Sequence, residues 1–450
     1  MPNIGLNIAA SGVDAAQTAM DTIAQNLSNA NSPGYVAETA NLTTNPGGDV
    51  LGVGDGVRVT SVSQANDTLL VNSVQQSQGA VAQSSALQQM LQQAQLAFQE
   101  PSSSGVSADL SSFWQAWDNI AKNPTDPAAR QQVVDLAQNL VTDFNQANQQ
   151  LQTTSDNAST QLGNLVTEAN QLLGQVATIN SQIYAAQKGG GSPNSLIDQR
   201  NQLMSKLATD IGATGSTQAD GTFQVKVGGV TLVAGGWYDQ LKQVLGTPES
   251  LVTKTSGVTL PASAGTAAGL LAGMNSYIGG SSGYRAQLAT VEGALANSVN
   301  TALGNGVTTT GASGSAYPLF QTDATGNWTV NQSIVSDPSL IAAASSTSTA
   351  PVNDGSNAQA IANMWDSATG PDAAYRNLVQ QVGDQVSSVN NQVQAQTGIA
   401  NAAQQNLQAV TGVDPNQQLV SLMNFQQAYQ ASAKVISTVD SAMQALMAAV

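Results

Sequence analysis

Any acid–base chemistry in this chain must run on carboxylates, because histidine and cysteine are both absent. Their absence removes imidazole general bases, thiolate nucleophiles, disulfides, zinc sites with nitrogen or sulfur donors, and haem ligation. Glutamate occurs five times, at Glu38, Glu100, Glu168, Glu249 and Glu292, and no catalytic motif surrounds any of them. Two carboxyls at the right separation suffice for glycoside hydrolysis, yet no local pattern marks such a pair, so the expectation is that the protein is not an enzyme. Asp323-Ala324-Thr325-Gly326-Asn327 lacks the regular oxygen ligands and the closing glutamate of a calcium loop and reads as a turn. Gly52-Val53-Gly54-Asp55-Gly56 is followed by no P-loop lysine and sits between valines, which reads as a hairpin turn. No metal and no cofactor is expected.

At 450 residues the chain has room for two or three domains. Twelve cations against 28 carboxylates give a net charge of −16, with no basic stripe, which argues against nucleic acid as a partner. Charged residues are only 9% of the chain, so its polarity comes mostly from amides and hydroxyls. Glycine (41) and proline (14) occur at ordinary frequency, as in a folded protein. The first cation is Arg58, so the cationic start of a cleavable secretory signal is not seen. No apolar run approaches the 18 or more residues of a membrane span, and no membrane insertion is expected.

The elements follow from periodicity. Leu6, Ala9, Val13, Ala16, Met20, Ile23, Leu27 and Ala30 repeat at alternating three- and four-residue spacing, which predicts a heptad helix ending at Asn31-Ser32-Pro33-Gly34-Tyr35. Leu422, Phe425, Tyr429, Ser432, Ile436, Val439, Met443, Leu446 and Val450 repeat in the same way, with Ser432 as the polar layer. That helix is announced by Asp414 as N-cap and Pro415 at its first position. Residues 1–35 carry only Asp14 and Asp21, and residues 415–450 only Lys434 and Asp440. Helices with so few flanking charges suggest contact on several sides within an assembly, or a pair that caps a bundle in one monomer.

Between the ends, Ala137, Phe144, Leu151, Ala158, Leu165, Leu172, Ile179 and Ala186 recur every seven residues and predict one long helix after Asp126-Pro127. Its second stripe moves from Leu140 and Ala147 to Leu162, Ala169, Val176 and Ile183, so different partners should face its two halves. Gly189 to Pro193 breaks it, and Leu196, Leu203, Leu207 and Ile211 suggest a returning helix. An earlier helix spans about Leu70 to Phe98, and Phe113, Trp114 and Trp117 should be buried rings. Thr222 to Val233 reads as strands about Gly228-Gly229, Gly269 to Leu303 as helix, Gly304 to Thr349 as exposed loop or strand, and residues 356–410 as helix.

Leu27-Ser28-Asn29-Ala30-Asn31-Ser32-Pro33-Gly34-Tyr35 resembles the N-terminal signature of bacterial flagellar axial proteins, the rod, hook and hook-associated proteins. Leu422 to Thr438, with Gly412-Val413-Asp414 before it, is similar to that family's closing helix. Phe113-Trp114-Gln115-Ala116-Trp117, Asn123 to Arg130, and Ser192 to Leu203 with its Asp198-Gln199-Arg200 centre are similar to the helical domain of the hook-associated branch. Serine at 32 and Val36-Ala37-Glu38 after the tyrosine depart from the usual signature.

The resemblance implies a structural part of the flagellum that joins hook to filament, is required for filament assembly, and is exported through the type III apparatus without signal cleavage to an extracellular position. It implies a mainly α fold with a small β-containing insertion. Terminal helices from 1–35 and 405–450 would form an inner coiled-coil domain, mobile in the free monomer. Residues 60–211, 265–304 and 355–404 would form a long helical hairpin or bundle, and 212–264 with 305–354 an outer β-rich domain. Implied partners are further copies of the chain in a ring or tube layer, hook protein, the next hook-associated protein towards the filament, and an export chaperone. The candidate assembly residues are Leu6, Val13, Met20, Ile23, Leu27, Asn29, Pro33, Gly34 and Tyr35 at one end. At the other they are Leu422, Phe425, Tyr429, Ile436, Val439, Met443, Leu446 and Val450. Another axial subunit of hook or rod type shares the ends but should be richer in β structure over 67–211. A surface adhesin displaying 212–350 is the other alternative.

Overall fold

The computed structural model describes residues 2–32, 34–45, 54–65, 67–103, 105–261, 263–323 and 327–448. Helix α1 (Pro2–Asn29) leads through an elbow into an antiparallel hairpin of β1 (Glu38–Thr44) and β2 (Val57–Gln64), whose register shifts between Asn41 and Leu42. The helical body follows as α2 (Thr68–Phe98), α3 (Val106–Lys122), α4 (Pro127–Lys188) and α5 (Asn194–Ile211).

A four-stranded sheet then runs in the order β3 (Thr214–Thr217), β4 (Phe223–Val227), β5 (Val230–Ala234) and β6 (Trp237–Tyr238), beside the ribbon β7 (Leu241–Val244) and β8 (Ser250–Thr253). The chain returns to the body through α6 (Gly265–Ala272), α7 (Tyr284–Gly304), β9 (Gly306–Val307), the hairpin β10 (Phe320–Thr322) and β11 (Trp328–Val330), α8 (Gln332–Ser336) and β12 (Ala344–Ser345). It closes with α9 (Ser356–Ala362), α10 (Pro371–Thr411) and α11 (Pro415–Ala448). The architecture is mainly helical, with small antiparallel sheets.

The longest element is α4, 62 residues and therefore about 90 Å from end to end. It begins as the sequence predicts: the Asp126 carboxylate accepts the Ala128 N–H, and Pro127 occupies the first turn, where its missing donor costs nothing. The stripe rotates along it. Ala137, Leu140, Phe144, Ala147 and Leu151 are buried in the first half, and Leu162, Val166, Ala169, Leu173 and Val176 in the second. Different neighbours fill the two faces: Asn145 Nδ2 donates to Trp328 O at 3.0 Å, whereas Asn170 Nδ2 donates to Leu241 O at 2.9 Å. The returning helix α5 is observed after the Gly189–Pro193 break, and the tight Gly228-Gly229 turn joins β4 to β5.

Three expectations are corrected. The helix read from Gly269 to Leu303 is two helices, because a π turn at Gly273–Ile278 inserts a residue into the ladder and Gly279-Gly280 lets the chain bend before α7. The helical run of residues 356–410 is likewise divided between α9 and α10, and α10 continues unbroken past 405 to Thr411. Residues 304–349 do contain strands, β9 to β12, but they are not exposed throughout. Phe320, Trp328, Ile334, Ile341 and Ala342 to Ala344 are buried.

The rings explain why. Phe320 and Trp328 stack at a centroid distance of 4.6 Å, Trp328 meets Phe144 edge-on at 5.3 Å, and Phe320 lies 5.9 Å from Phe113. Phe144 in turn contacts Tyr375 at 5.9 Å. The Ser/Thr/Gly-rich composition hides two rings that complete the core around α3 and α4, where aromatic contacts of this kind add to simple area burial.

Truncating Trp328 to alanine should therefore behave as a core cavity, costing about 3–5 kcal/mol in urea unfolding. A loss under 1 kcal/mol would mean that residues 305–354 are not integral to the body.

Candidate assembly interface

The two ends of the chain pack on each other. Helices α1 and α11 lie side by side, and the β1–β2 hairpin covers α1. They meet at Gly12: a Cβ placed there would lie 2.7 Å from Ser432 Oγ and 3.4 Å from Ser432 Cβ, so a larger residue would have to displace the serine hydroxyl. Ser432, the polar layer of the α11 heptads, stands opposite this glycine.

The buried face of α1 is broader than the expected seam and differs from it. Ala9, Ala16 and Ile23 are buried, together with Ala15, Ala19, Thr22 and Asn26, whereas Gly12, Val13 and Met20 are half-buried and Leu27 is exposed. Small side chains let the helices approach closely, which puts the larger ones on the flank. Leu6 and Leu27 are each 39% exposed. On α11, Leu422, Phe425, Ile436 and Val439 are half-buried towards α1, whereas Tyr429 and Met443 are exposed. Pro33 and Val450 lie outside the described residues, as does the side chain of Leu446.

Asn26, which the sequence reading passed over, organises the junction. It is fully buried, and its amide makes four hydrogen bonds. Nδ2 donates to Glu38 O at 2.7 Å and to Gln418 Oε1 at 3.2 Å, while Oδ1 accepts from Tyr35 Oη and from the Glu38 N–H, both at 2.8 Å. Both donors and both acceptor sites of the side chain are therefore used. One residue joins α1, the elbow, the hairpin and α11. The heptad spacing places Leu27 rather than Asn26 in the seam, so periodicity gives Asn26 no signal.

The motif residues build the elbow around it. Asn29 Nδ2 donates to Gln25 O at 3.1 Å, and its Oδ1 accepts from Ser32 Oγ at 3.2 Å, closing the end of α1. Gly34 adopts φ 77°, a left-handed conformation that suits glycine. Tyr35 can then reach back nine residues to Asn26. Burial beside Glu38 and Asp198 pushes the Tyr35 hydroxyl up to about 12, so it remains a donor at neutral pH.

The hairpin is tied to the body by α5. Gln64 Nε2 donates to Asp198 Oδ1 at 3.0 Å, and Asn194 Nδ2 donates to Val62 O at 3.0 Å. The Ala37 N–H donates to Thr411 O at 2.9 Å, so the hairpin also grips the end of α10. Burial raises the Asp198 carboxyl to about 6, against the hydrogen bonds from Gln64 and the Val36 N–H, with Glu38 repelling its charge. The Asp414 cap of α11 is formed, its carboxylate accepting the Asn416 N–H at 2.9 Å.

Carboxylates elsewhere serve the scaffold. Glu100 accepts the Ser107 N–H at the start of α3, and Glu249 Oε2 accepts from Gln243 Nε2 at 3.0 Å. Asp143 on α4, raised to about 7 by burial and by its hydrogen bond with Asp109 on α3, forms a carboxyl pair that sequence spacing did not reveal. Among the described residues no group of three or more acidic side chains is placed to hold a metal ion.

Comparison with known proteins gives this arrangement a class. Residues 6–35 match the flagella basal body rod protein family and residues 403–449 the C-terminal family of flagellar basal body rod FlgEFG proteins, so both paired ends of the chain carry patterns of flagellar rod-type proteins. Residues 91–320, just over half of the chain, match the flagellar hook-associated protein FlgK helical domain, and the chain belongs to that family.

Flagellar hook-associated protein 1 of Salmonella typhimurium strain LT2 is 35% identical over 249 residues, and that of Escherichia coli K12 is 33% identical over 254. Each alignment covers 53% of this chain and 44% of the relative, so the chain matches less than half the length of these proteins. Flagellar hook-associated protein 1 of Bacillus subtilis strain 168 is 25% identical across 97% of this chain and 96% of its own length. The solved structure of the flagellar hook junction protein FlgK from Burkholderia pseudomallei shares the fold, with TM-score 0.62 and 19% identity over 77% of this chain and all of that one.

Replacing Asn26 by leucine should strand the Tyr35 hydroxyl and the Glu38 N–H at about 1–3 kcal/mol each. Hydrogen exchange should then show lost protection at Glu38 and unchanged protection in α4. Asp198 makes a separate prediction. Its folded pKa, about 6, lies above the ordinary 3.8, so the folded state binds the proton more tightly and loses stability as pH rises from about 4 to 6. Asp198→Asn removes that slope and should leave the protein at pH 7 no less stable than the parent, by urea unfolding across that range. An unchanged slope would remove Asp198 from the account.

Proposed function

We propose that this chain is a structural subunit of the bacterial flagellum, standing where hook meets filament and required for the filament to assemble. The observation that carries the reading is the paired, charge-poor end module. It joins both termini, matches rod-type patterns at each, and leaves apolar side chains uncovered at Leu6, Leu27, Leu419, Val420, Met423 and Met447. Uncovered leucine, valine and methionine along a helix pair are what a second copy of the same pair would bury.

In this reading the α1–α11 module forms an inner coiled-coil layer of a ring or tube. The helical body forms the next layer, and the sheet region of residues 212–264 faces outward. A junction has one face for hook protein and an unlike face for the next hook-associated protein, as head-to-tail association provides. The subunit travels through the type III export apparatus with a chaperone, without signal cleavage, to an extracellular position. If the end module is only marginally ordered before assembly, polymer contacts offset its ordering entropy. The relatives' names as hook-associated proteins support a structural rather than an enzymatic role.

Cells lacking the chain should carry bare hooks and release flagellin into the medium. Gly12→Val, which forces α1 from Ser432 at a cost of about 1–3 kcal/mol, should reproduce that phenotype while the purified subunit keeps its helical circular dichroism. Absent hooks would assign the chain to the rod or hook, and normal filaments would overturn the proposal.

A further inference from the structure

Helix α5 has two working sides. Asp198 holds the hairpin, and Arg200, two residues on, faces the sheet, with its guanidinium carbon 3.8 Å from the Phe223 ring centroid. Among the described residues that ring is the one contact recorded for its guanidinium. Its Nε is buried without a hydrogen bond, and among the described residues the one ion pair is Lys122 with Asp118. Burial with no opposing charge lowers the Arg200 pKa to about 10. Among the described residues no carboxylate forms an ion pair with this arginine.

Beside it a cavity of about 160 Å³ opens between α2, α5 and the edge strand β3. Its polar lining is amide, hydroxyl and guanidinium, from residues such as Asn72, Gln75, Asn201 and Ser216, and it contains no acidic side chain. Gln75 is 3% exposed, and its Oε1 has no partner. Of these two buried atoms the Gln75 oxygen is an acceptor, whereas the Arg200 Nε–H beside the cavity is an unsatisfied donor, a costly arrangement unless an acceptor enters.

We propose that this cavity binds a carboxylate, supplied by a small organic acid or by an acidic side chain of a neighbouring copy. A guanidinium held over a ring offers a fork of donors matched to a carboxylate. A single positive charge suits a monoanion. The volume admits a carboxylate on a short carbon chain and excludes a nucleotide. Amide groups on the walls supply further donors. A net charge of −16 means that any neighbouring copy presents acidic side chains in excess.

The test is thermal unfolding of the full chain at pH 7 in sodium acetate, exchanged for sodium chloride at constant ionic strength. Acetate should raise the wild-type midpoint by about 2–4 °C. Arg200→Gln should abolish the shift. Ser216→Glu, which brings a carboxylate to the rim from the chain itself, should start near the acetate-saturated wild-type midpoint and respond no further. No shift in the wild type, or equal shifts in all three proteins, overturns the proposal, and Ser216→Glu decides if Arg200→Gln does not fold. Sedimentation of the wild type separates the two sources. Self-association weakened by acetate assigns the carboxylate to a neighbouring copy, and unaltered association assigns it to a free acid.

Discussion

The contact on which the rest depends is the closure of the chain on itself, where Gly12 lets α1 lie against Ser432 of α11 and the Asn26 amide locks the junction. An amide buried without partners would destabilise the fold, but one with every donor and acceptor engaged fixes a single geometry. Its four bonds reach the elbow, the hairpin and the opposite terminus. The hairpin then meets α5 through Gln64 and the end of α10 through Ala37, so the pairing of the termini is transmitted to the body by hydrogen bonds. Small residues in the contact column have a second effect: they leave larger apolar side chains on the flanks, where another subunit can cover them.

The body has a different logic. One 62-residue helix runs through it, and the aromatic rings of α3, α4, α10 and the β10–β11 hairpin close around its first half. Its second half is covered by α5 and by the sheet region, through the Asn170 and Asn180 amides. The rotation of the apolar stripe along α4 divides the molecule into these two neighbourhoods. The terminal module is bonded to the body at α5 and at the end of α10.

Much of this was legible in the sequence, for identifiable reasons. Heptad spacing located α1, α4 and α11, and the Asp126-Pro127 and Asp414-Pro415 caps marked two helix starts to the residue, because capping is local chemistry. The elbow was legible from proline, glycine and tyrosine together. Features that depend on long-range proximity were hidden. Which residues of α1 are buried is decided by how closely the backbones approach, and a preference for large apolar residues chose Val13 and Met20 over Ala15 and Ala19. Residues 304–349 read as exposed because serine, threonine and glycine outnumber the two rings that anchor them. Asn26 carried no periodic signal and Arg200 entered only through a family-like motif, and only the fold shows what surrounds them.

The pairing of the termini can be tested directly, because the chain has no native cysteine. A Cβ at Gly12 would lie 3.4 Å from Ser432 Cβ, close to the lower edge of disulfide geometry. The doubly substituted Gly12→Cys, Ser432→Cys subunit should form an intramolecular disulfide under mild oxidation, in purified protein and in isolated hook–filament structures, and migrate as a monomer without reductant. Cross-links only between copies, or none at either stage, would contradict the account.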